Sequence, residues 1–282
     1  MYESFFGLRE PAFALNPDPR FLWLSETHQE GLAALAYGIA SRKGFILLTG
    51  GVGTGKTTLL RAALARMPET IEVAFLANTE GLTGLDLLKL VAAEFHASGP
   101  GGDRADCLIA IKSFLLEQVR AGTRAVVVID EAQNLSLETL EQVRLLSNLE
   151  TDTQKLLQIV LTGQPELRRK LQREELQPLM QRIVIDHHLA PLRPYEVHPY
   201  LEHRLRVAGA PYERVLEPGA ESTFYGFSAG CPRLMSLLAD RVLMAAYAQG
   251  LRPVPKALVE AKAKEIDATR SDELWEADIW DA

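Results

Sequence analysis

Residues 44–64 read GFILLTGGVGTGKTTLLRAAL. Phe45 to Thr49 is a short apolar run with the length of a buried strand. A glycine-rich turn follows, and then a helical pattern that continues through Met67. Strand, turn and helix in that order form half of a βαβ unit. Gly50, Gly55, Lys56 and Thr57 match G-x-x-x-x-G-K-[ST]. Glycines let the backbone curl so that successive N–H groups point inward, as a phosphate requires. The helix opening near Lys56 adds the positive end of its dipole. The segment Gly50, Gly51, Val52, Gly53, Thr54, Gly55, Lys56, Thr57 and Thr58 is therefore expected to bind the phosphates of a nucleotide. Lys56 would reach the β- and γ-phosphates, and the Thr57 hydroxyl would face Mg²⁺.

The second informative stretch is VVVIDEAQ, residues 126–133. Four apolar residues deliver Asp130 and Glu131 to the C-terminal end of a strand, the edge at which open parallel sheets bind ligands. Asp130 is the candidate Mg²⁺ carboxylate, and Glu131 the candidate general base that polarises a water. An acid pair there points to hydrolysis. The chain has no N-K-x-D or T-K-x-D, which turns the choice from GTP to ATP.

Further strands are predicted at Ile71–Leu76, Ala125–Ile129, Gln158–Thr162 and Ile183–His188. Helical patterns separate them at Leu85–Phe95, Asp106–Arg120 and Leu137–Leu149, and another precedes them at about Ser25–Arg42. In that last pattern Leu32, Leu35, Ala36 and Ile39 share a face, and Ser25 is a candidate N-cap. Apolar strands alternating with amphipathic helices predict a parallel sheet covered on both faces, a three-layer αβα fold of the P-loop NTPase class. The glycine-rich stretch Ser98–Asp103 reads as a loop inside that domain. Strand signals stop near Leu189. Helical patterns at Pro194–Ala208, Pro218–Phe227, Pro232–Gln249 and Pro255–Ile266 predict a small all-helical subdomain.

Ahead of these, Pro11, Pro17 and Pro19 are expected to forbid a regular helix over Met1–Arg20. That stretch reads as an extended arm whose Phe5, Phe6 and Phe13 need cover. The expected organisation is an arm over 1–24, the αβα domain over 25–189, the helical subdomain over 190–267 and a tail over 268–282. The tail carries five acids, one arginine, Trp275 and Trp280. It reads as disordered, as a docking peptide, or as a segment folding back on the helices.

With 47% hydrophobic and 24% charged residues, the 282-residue chain is not intrinsically disordered and can bury a core without disulfides. Thirty Lys+Arg against 37 Asp+Glu leave a net charge of −7, which argues against a surface wholly given to nucleic acid. Cys107 and Cys231 form no C-x-x-C pair and fit a reducing compartment. No apolar run reaches the roughly 18–20 residues of a membrane span, and the N-terminus has no signal-peptide pattern. The expected location is the cytoplasm, with recruitment to the inner membrane only through a partner.

Several blocks together resemble one family. They are FFGLREPAFALNPDPRFLWLSETHQEGLAALAYGI, the phosphate loop and its flanks, VVVIDEAQNLSLETLEQVRLLSNLET, LTGQPELRRKL, LQRIVIDHHLAPLRPYEVHPYLEHRL and GCPRL. The chain resembles AAA+ ATPases of the ExeA/GspA branch, found with type II secretion and pilus biogenesis and related to the transposition ATPases MuB and TnsC. The resemblance implies a Walker A loop at Gly50–Thr58 and a Walker B pair at Asp130 and Glu131. It implies a sensor 1 residue at Thr162 or Gln164 and a sensor 2 arginine at Arg233. An arginine finger for the neighbouring subunit would be Arg182, with Arg168, Arg169 and Arg173 as alternatives. The arm would lie near the adenine, with Phe5 or Phe6 against the base, or would pack on the core. ATP would sit between the αβα domain and the helical lid, in an ATP-dependent homo-oligomer, ring or filament.

Longer members continue into a transmembrane helix and a peptidoglycan-binding region. This chain is expected to behave like the short soluble members, without cell-wall binding. The function so implied is a Mg-dependent ATP-hydrolysing switch or motor that assembles or remodels a secretion, pilus or polysaccharide export complex. An ATP-dependent DNA-binding adaptor is the alternative, and a nucleotide-gated scaffold with little turnover is a second.

Some features carry less. His187 and His188 are adjacent, and His198 and His203 are five apart, none at the i, i+4 spacing of a helical metal pair. The cluster Arg168, Arg169, Lys170 and Arg173 is a solvated helix face, a subunit contact or a phosphate-binding patch.

Overall fold

A computed structural model describes residues 1–16, 18–41, 44–67, 70–97, 102–151 and 154–280, with side chains described as far as residue 268. Most of the Ser98–Asp103 loop therefore lies outside the described residues, as do the side chains of Trp275 and Trp280. In chain order the strands are β1 (Phe45–Gly50), β2 (Ile71–Leu76), β3 (Arg124–Ile129), β4 (Leu157–Gly163) and β5 (Ile183–Leu189). The helices are α1 (Tyr2–Phe6), α2 (Glu26–Ala40), α3 (Lys56–Leu64), α4 (Gly84–Glu94), α5 (Arg104–Arg120), α6 (Leu137–Leu146), α7 (Pro165–Leu171) and α8 (Gln177–Met180). They continue with α9 (Val197–Ala208), α10 (Tyr212–Val215), α11 (Glu221–Ser228), α12 (Pro232–Gln249) and α13 (Lys256–Trp280). Among the described residues no helix is long and apolar enough to cross a membrane.

The chain divides into two compact units. One comprises Glu26–Gly51 and Leu59–Leu189; the other comprises Met1–Ser25, Val52–Thr58 and Ala190–Ala282.

The first unit holds a five-stranded sheet in the order β2-β3-β4-β1-β5, with every neighbouring pair parallel. The inner strands β1 and β4 are buried along their whole length, which is why both read as continuous apolar runs. The outermost strand β5 instead alternates between half-buried and exposed positions up to Leu189. Helices α4, α5 and α6 pack into one core with the sheet through Leu87, Val91, Ile111, Leu115, Leu140 and Val143. Helix α2 lies against β5 and β1 with Leu35 and Ile39 buried. Its close approach depends on Gly38, where a Cβ would come within 2.5 Å of Ile46. Helix α6 ends three residues before the predicted Leu149. Ser147 and Asn148 follow it, and the Arg182 guanidinium donates to the Arg144 carbonyl, the Ser147 hydroxyl and the Asn148 side chain there. A cation at a helix C-terminus satisfies carbonyls the helix leaves open.

The second unit is helical, and the N-terminal arm belongs to its core. The arm is not uniformly extended. Tyr2–Phe6 forms a short helix closed by Gly7 in the left-handed region (φ 77°), because all three prolines lie beyond it. Phe6 and Phe13 are fully buried with Leu201, Leu205, Met235 and Leu238. Phe5 packs edge-to-face on Phe6 and Tyr247. Arg204 donates to the carbonyls of Ala12 and Ala14, and its guanidinium lies over the rings of Phe13, Phe21 and Tyr200. Burying rings of this size stabilises by roughly 1.5–3 kcal/mol each, which explains why the arm is core. Phe6 is thereby committed to packing, and of the two rings proposed for a base only Phe5 retains exposed area.

Pro194 and Pro232 do occupy helix first turns. Helix α11, however, starts at Glu221, three residues after Pro218. Helix α13 runs past the predicted Ile266 to Trp280, so the backbone of the tail continues the last helix. No glycine or proline after Pro255 stops it.

Candidate active site

Strands β1, β3 and β4 are parallel and adjacent in register, so Gly50, Ile129 and Gly163 all leave the sheet at one edge. The residues that follow them are the predicted site residues.

After β1 the chain turns through Gly53 (φ 75°) and Gly55 (φ 98°) before α3 begins at Lys56. These left-handed values are open to glycine at little cost. Thr54 and Lys56 are buried, Lys56 to 5% exposure, whereas Val52 at the tip is exposed. An ammonium held that far from water requires a partner of opposite sign or a set of acceptors. The residues from Val52 to Thr58 belong to the same compact unit as α12. The Arg233 backbone N–H donates to the Gly53 carbonyl at 3.3 Å, and the Cys231 thiol donates to the Val52 carbonyl at 3.3 Å. A Cβ on Gly53 would stand 2.5 Å from the Arg233 Cβ, so this glycine serves both its φ and a close approach. The Arg233 side chain is exposed and has no hydrogen-bond or ion-pair partner among the described residues.

After β3 the structure differs in kind. Asp130 is buried, and its Oδ1 accepts from the Thr162 hydroxyl at 2.6 Å and from the Glu131 N–H at 3.0 Å. Glu131 sits in the left-handed region (φ 49°), rare for a residue with a side chain and costing of order 1–3 kcal/mol. The surroundings hold it there. The Thr79 hydroxyl lies 3.2 and 3.0 Å from the carbonyls of Asp130 and Glu131. Gln133 Nε2 donates to Glu131 Oε2 at 2.6 Å, and Gln164 Nε2 reaches the same oxygen at 3.4 Å. The Gln164 N–H donates to Gln133 Oε1 at 3.0 Å. Lys170 donates to the carbonyls of Gln133 and Leu135. Burial, with Arg173 nearby, pushes the Lys170 ammonium below the usual lysine range.

The two sensor 1 candidates thus occupy different places. Thr162 is fully buried and spends its hydroxyl on Asp130. Gln164 is half-buried as the N-cap of α7 and points to Glu131.

The arginine-finger candidates also separate. Arg182 caps α6, as described above. Arg168 pairs with Asp186, and Arg169 with Glu166 at 2.5 Å. Arg173 is exposed and without a partner among the described residues. Of the cluster 168–173, Arg173 alone keeps an uncommitted charge among the described residues.

The histidines have local partners. His187 Nε2 lies 2.8 Å from the Thr27 carbonyl, His188 Nδ1 lies 3.0 Å from the Thr49 hydroxyl, His198 pairs with Glu221, and His203 faces the Arg20 carbonyl. No group of three or more His, Cys, Asp or Glu among the described residues could hold a metal ion.

The sequence reading did not single out Thr79, Gln133 or Gly163 as parts of this site. Gln133 stands within DEAQ, and Gly163 directly precedes Gln164. A Cβ on Gly163 would lie 2.6 Å from Gln133 Oε1, and only the folded chain shows that the two meet.

A parallel sheet in this order, a glycine-rich turn after β1 and paired acids after β3 define a P-loop ATPase fold with a helical subdomain. Known proteins agree. The family described as "AAA domain" matches residues 39–171. Among solved structures, the ORC2 protein of Aeropyrum pernix in its ADPNP–ADP complexes aligns with a TM-score of 0.71 at 18% identity, covering 91% of this chain and 71% of that one. Cdc6p of Pyrobaculum aerophilum aligns with a TM-score of 0.66 at 17% identity, covering 86% and 67%. At such identities the likeness is one of fold. Residues 39–171 thus carry an AAA domain. The chain is 43% identical, over 99% of its length, to general secretion pathway protein A of Aeromonas hydrophila, and it spans 51% of that relative.

Proposed function

We propose that the chain hydrolyses ATP with magnesium and uses the cycle to assemble or remodel an envelope secretion, pilus or polysaccharide export complex. The observation that carries the chemical half is the paired acid loop. Asp130 Oδ1 is anchored by the Thr162 hydroxyl, and Glu131 is held in a strained conformation by two amides, at the edge where the glycine-rich loop also leaves the sheet. The biological half rests on the relative of the general secretion pathway.

The residues fit a magnesium nucleotide. The glycine curl supplies inward N–H groups, the buried Lys56 supplies a cation for the β- and γ-phosphates, and the buried Asp130, whose Oδ1 accepts from Thr162, supplies a carboxylate. Thr57 and Asp130 would hold the magnesium, which neutralises charge on the phosphate oxygens when bound. Glu131 takes a proton from the attacking water, and Gln164 orients that water as sensor 1. Arg233, uncommitted among the described residues, reaches the γ-phosphate as sensor 2. The finger comes from a neighbouring subunit in an ATP-dependent ring or filament. Arg173 has the free guanidinium for it, whereas Arg182 is spent on α6. Recruitment to the inner membrane is through the client complex.

The decisive experiment is phosphate release by the full chain and by Glu131→Gln, with ATP affinity measured alongside. Loss of turnover with binding intact supports the reading. Unchanged turnover ends the assignment of the base, and turnover negligible in both leaves a nucleotide-gated scaffold. The DNA-adaptor alternative is disfavoured by the internal commitment of Arg168, Arg169 and Lys170. ATP-dependent, salt-sensitive retention of duplex DNA would revive it.

A further inference from the structure

The Glu131 carboxylate is aimed as well as placed. Its terminal torsion is soft and roughly two-fold, so a backbone in the left-handed region does not by itself choose which oxygen faces a water. Gln133 makes that choice. A backbone N–H can only donate, and the Gln164 N–H points at one end of the Gln133 amide at 3.0 Å. That end must be Oε1. The Nε2 end then faces Glu131 Oε2, 2.6 Å away, and the amide cannot turn over without opposing two donors. The second amide, from Gln164, also falls on Oε2 at 3.4 Å. Among the described residues Oε1 of Glu131 accepts nothing.

Gln133 is itself fixed at three points. The Gln164 N–H holds its side chain, Lys170 holds its carbonyl, and Gly163 leaves the space its Oε1 occupies. It stands in the short 3-10 turn Ala132–Asn134 directly after the strained residue.

We propose that Gln133 is a positioning residue that anchors Oε2 of Glu131 so that Oε1 is the proton-accepting atom. The inference rests on Glu131 being the base. In the step it serves, the water oxygen bonds to the γ-phosphorus while a water proton passes to Oε1. The bond from that phosphorus to the bridging oxygen breaks, and its electron pair leaves with ADP. A carboxylate free to rotate would offer either oxygen, at a changing distance. A misplacement of about 1 Å costs on the order of 100-fold in rate.

The test compares full-length wild type, Gln133→Met, Gln133→Glu, Gly163→Ala and Glu131→Gln with ATP and magnesium. It reads kcat, KM and equilibrium affinity for ATP separately. Gln133→Met keeps the length and removes the donor. Its kcat is expected to fall about 10- to 100-fold with KM and affinity within about twofold. Gln133→Glu places a carboxylate against a carboxylate and should fall at least as far. Gly163→Ala keeps every polar side chain but displaces Gln133, and should lower kcat in the same sense. Should Gln133→Met not fold, Gly163→Ala decides by the same readouts. A kcat within twofold of wild type in Gln133→Met, a rise in kcat, or a parallel loss of affinity overturns the proposal. Glu131→Gln separates the two claims. If it retains turnover, the base assignment falls; if it is inactive while Gln133→Met is active, the positioning role alone falls.

Discussion

Between Gly50 and Lys56 the turn is made by glycine backbone conformations, whereas between Asp130 and Leu135 a residue with a side chain is held in such a conformation by residues from elsewhere. The first loop turns on Gly53 and Gly55, whose φ values other residues rarely adopt. The second contains no glycine, yet it holds Glu131 in the same left-handed region. It does so with hydrogen bonds from Thr79, Thr162, Gln164 and Lys170, which lie 31 to 52 positions away from the Asp130, Glu131 or Gln133 they bond. A loop that must present N–H groups is economical when built from backbone. A loop that must present two carboxylates in different states needs neighbours that treat each one differently. Asp130 has an oxygen bound to a buried hydroxyl, and Glu131 has an oxygen bound to amides.

The contrast can be broken by substitution. Lys56→Ala should have the largest effect on binding. Removing a charge-assisted contact of roughly 1.5–3 kcal/mol should weaken ATP about 10- to 100-fold by calorimetry, with the circular dichroism unchanged. Gly53→Ala comes next, since it adds a Cβ 2.5 Å from Arg233 at a positive φ. Strain of about 1–3 kcal/mol should reduce ATP affinity, and affinity equal to wild type would show that the loop does not need its own backbone freedom. Thr162→Val deletes a donor to buried Asp130. It should lower stability by about 1–3 kcal/mol, read as an earlier urea midpoint. A midpoint unmoved there would mean that the acid loop does not depend on its distant partners. The smallest expected effect is that of Arg169→Ala. Its exposed pair with Glu166 should contribute under about 1 kcal/mol, so the midpoint should hardly move.

The same division runs through the fold. Strand β2 matches its predicted range end to end, and the other four agree to within a residue or two; the buried β1, β3 and β4 announce themselves as apolar runs. The α12 range, Pro232–Gln249, was also legible, having a proline at its first turn and Gly250 as its C-cap. Where the reading departed, the missing information lay in distant partners. Helix α6 stops where Arg182 caps it, 35 positions along the chain from Ser147. The opening arm forms a helix and joins a core because α9 and α12 offer Phe6 and Phe13 a surface.

The sequence alone determined the strand–turn–helix around Gly50–Thr57, the delivery of Asp130 and Glu131 to a strand end, and the change to helices after Leu189. Each is a matter of local residue type and period, which the chain carries wherever it goes. Tertiary structure decided which candidate arginines keep a free charge, which of Thr162 and Gln164 meets which acid, and how Glu131 is turned. Those depend on single hydrogen bonds between side chains far apart in the chain, and no local pattern encodes a bond whose partner is set only when the sheet is assembled.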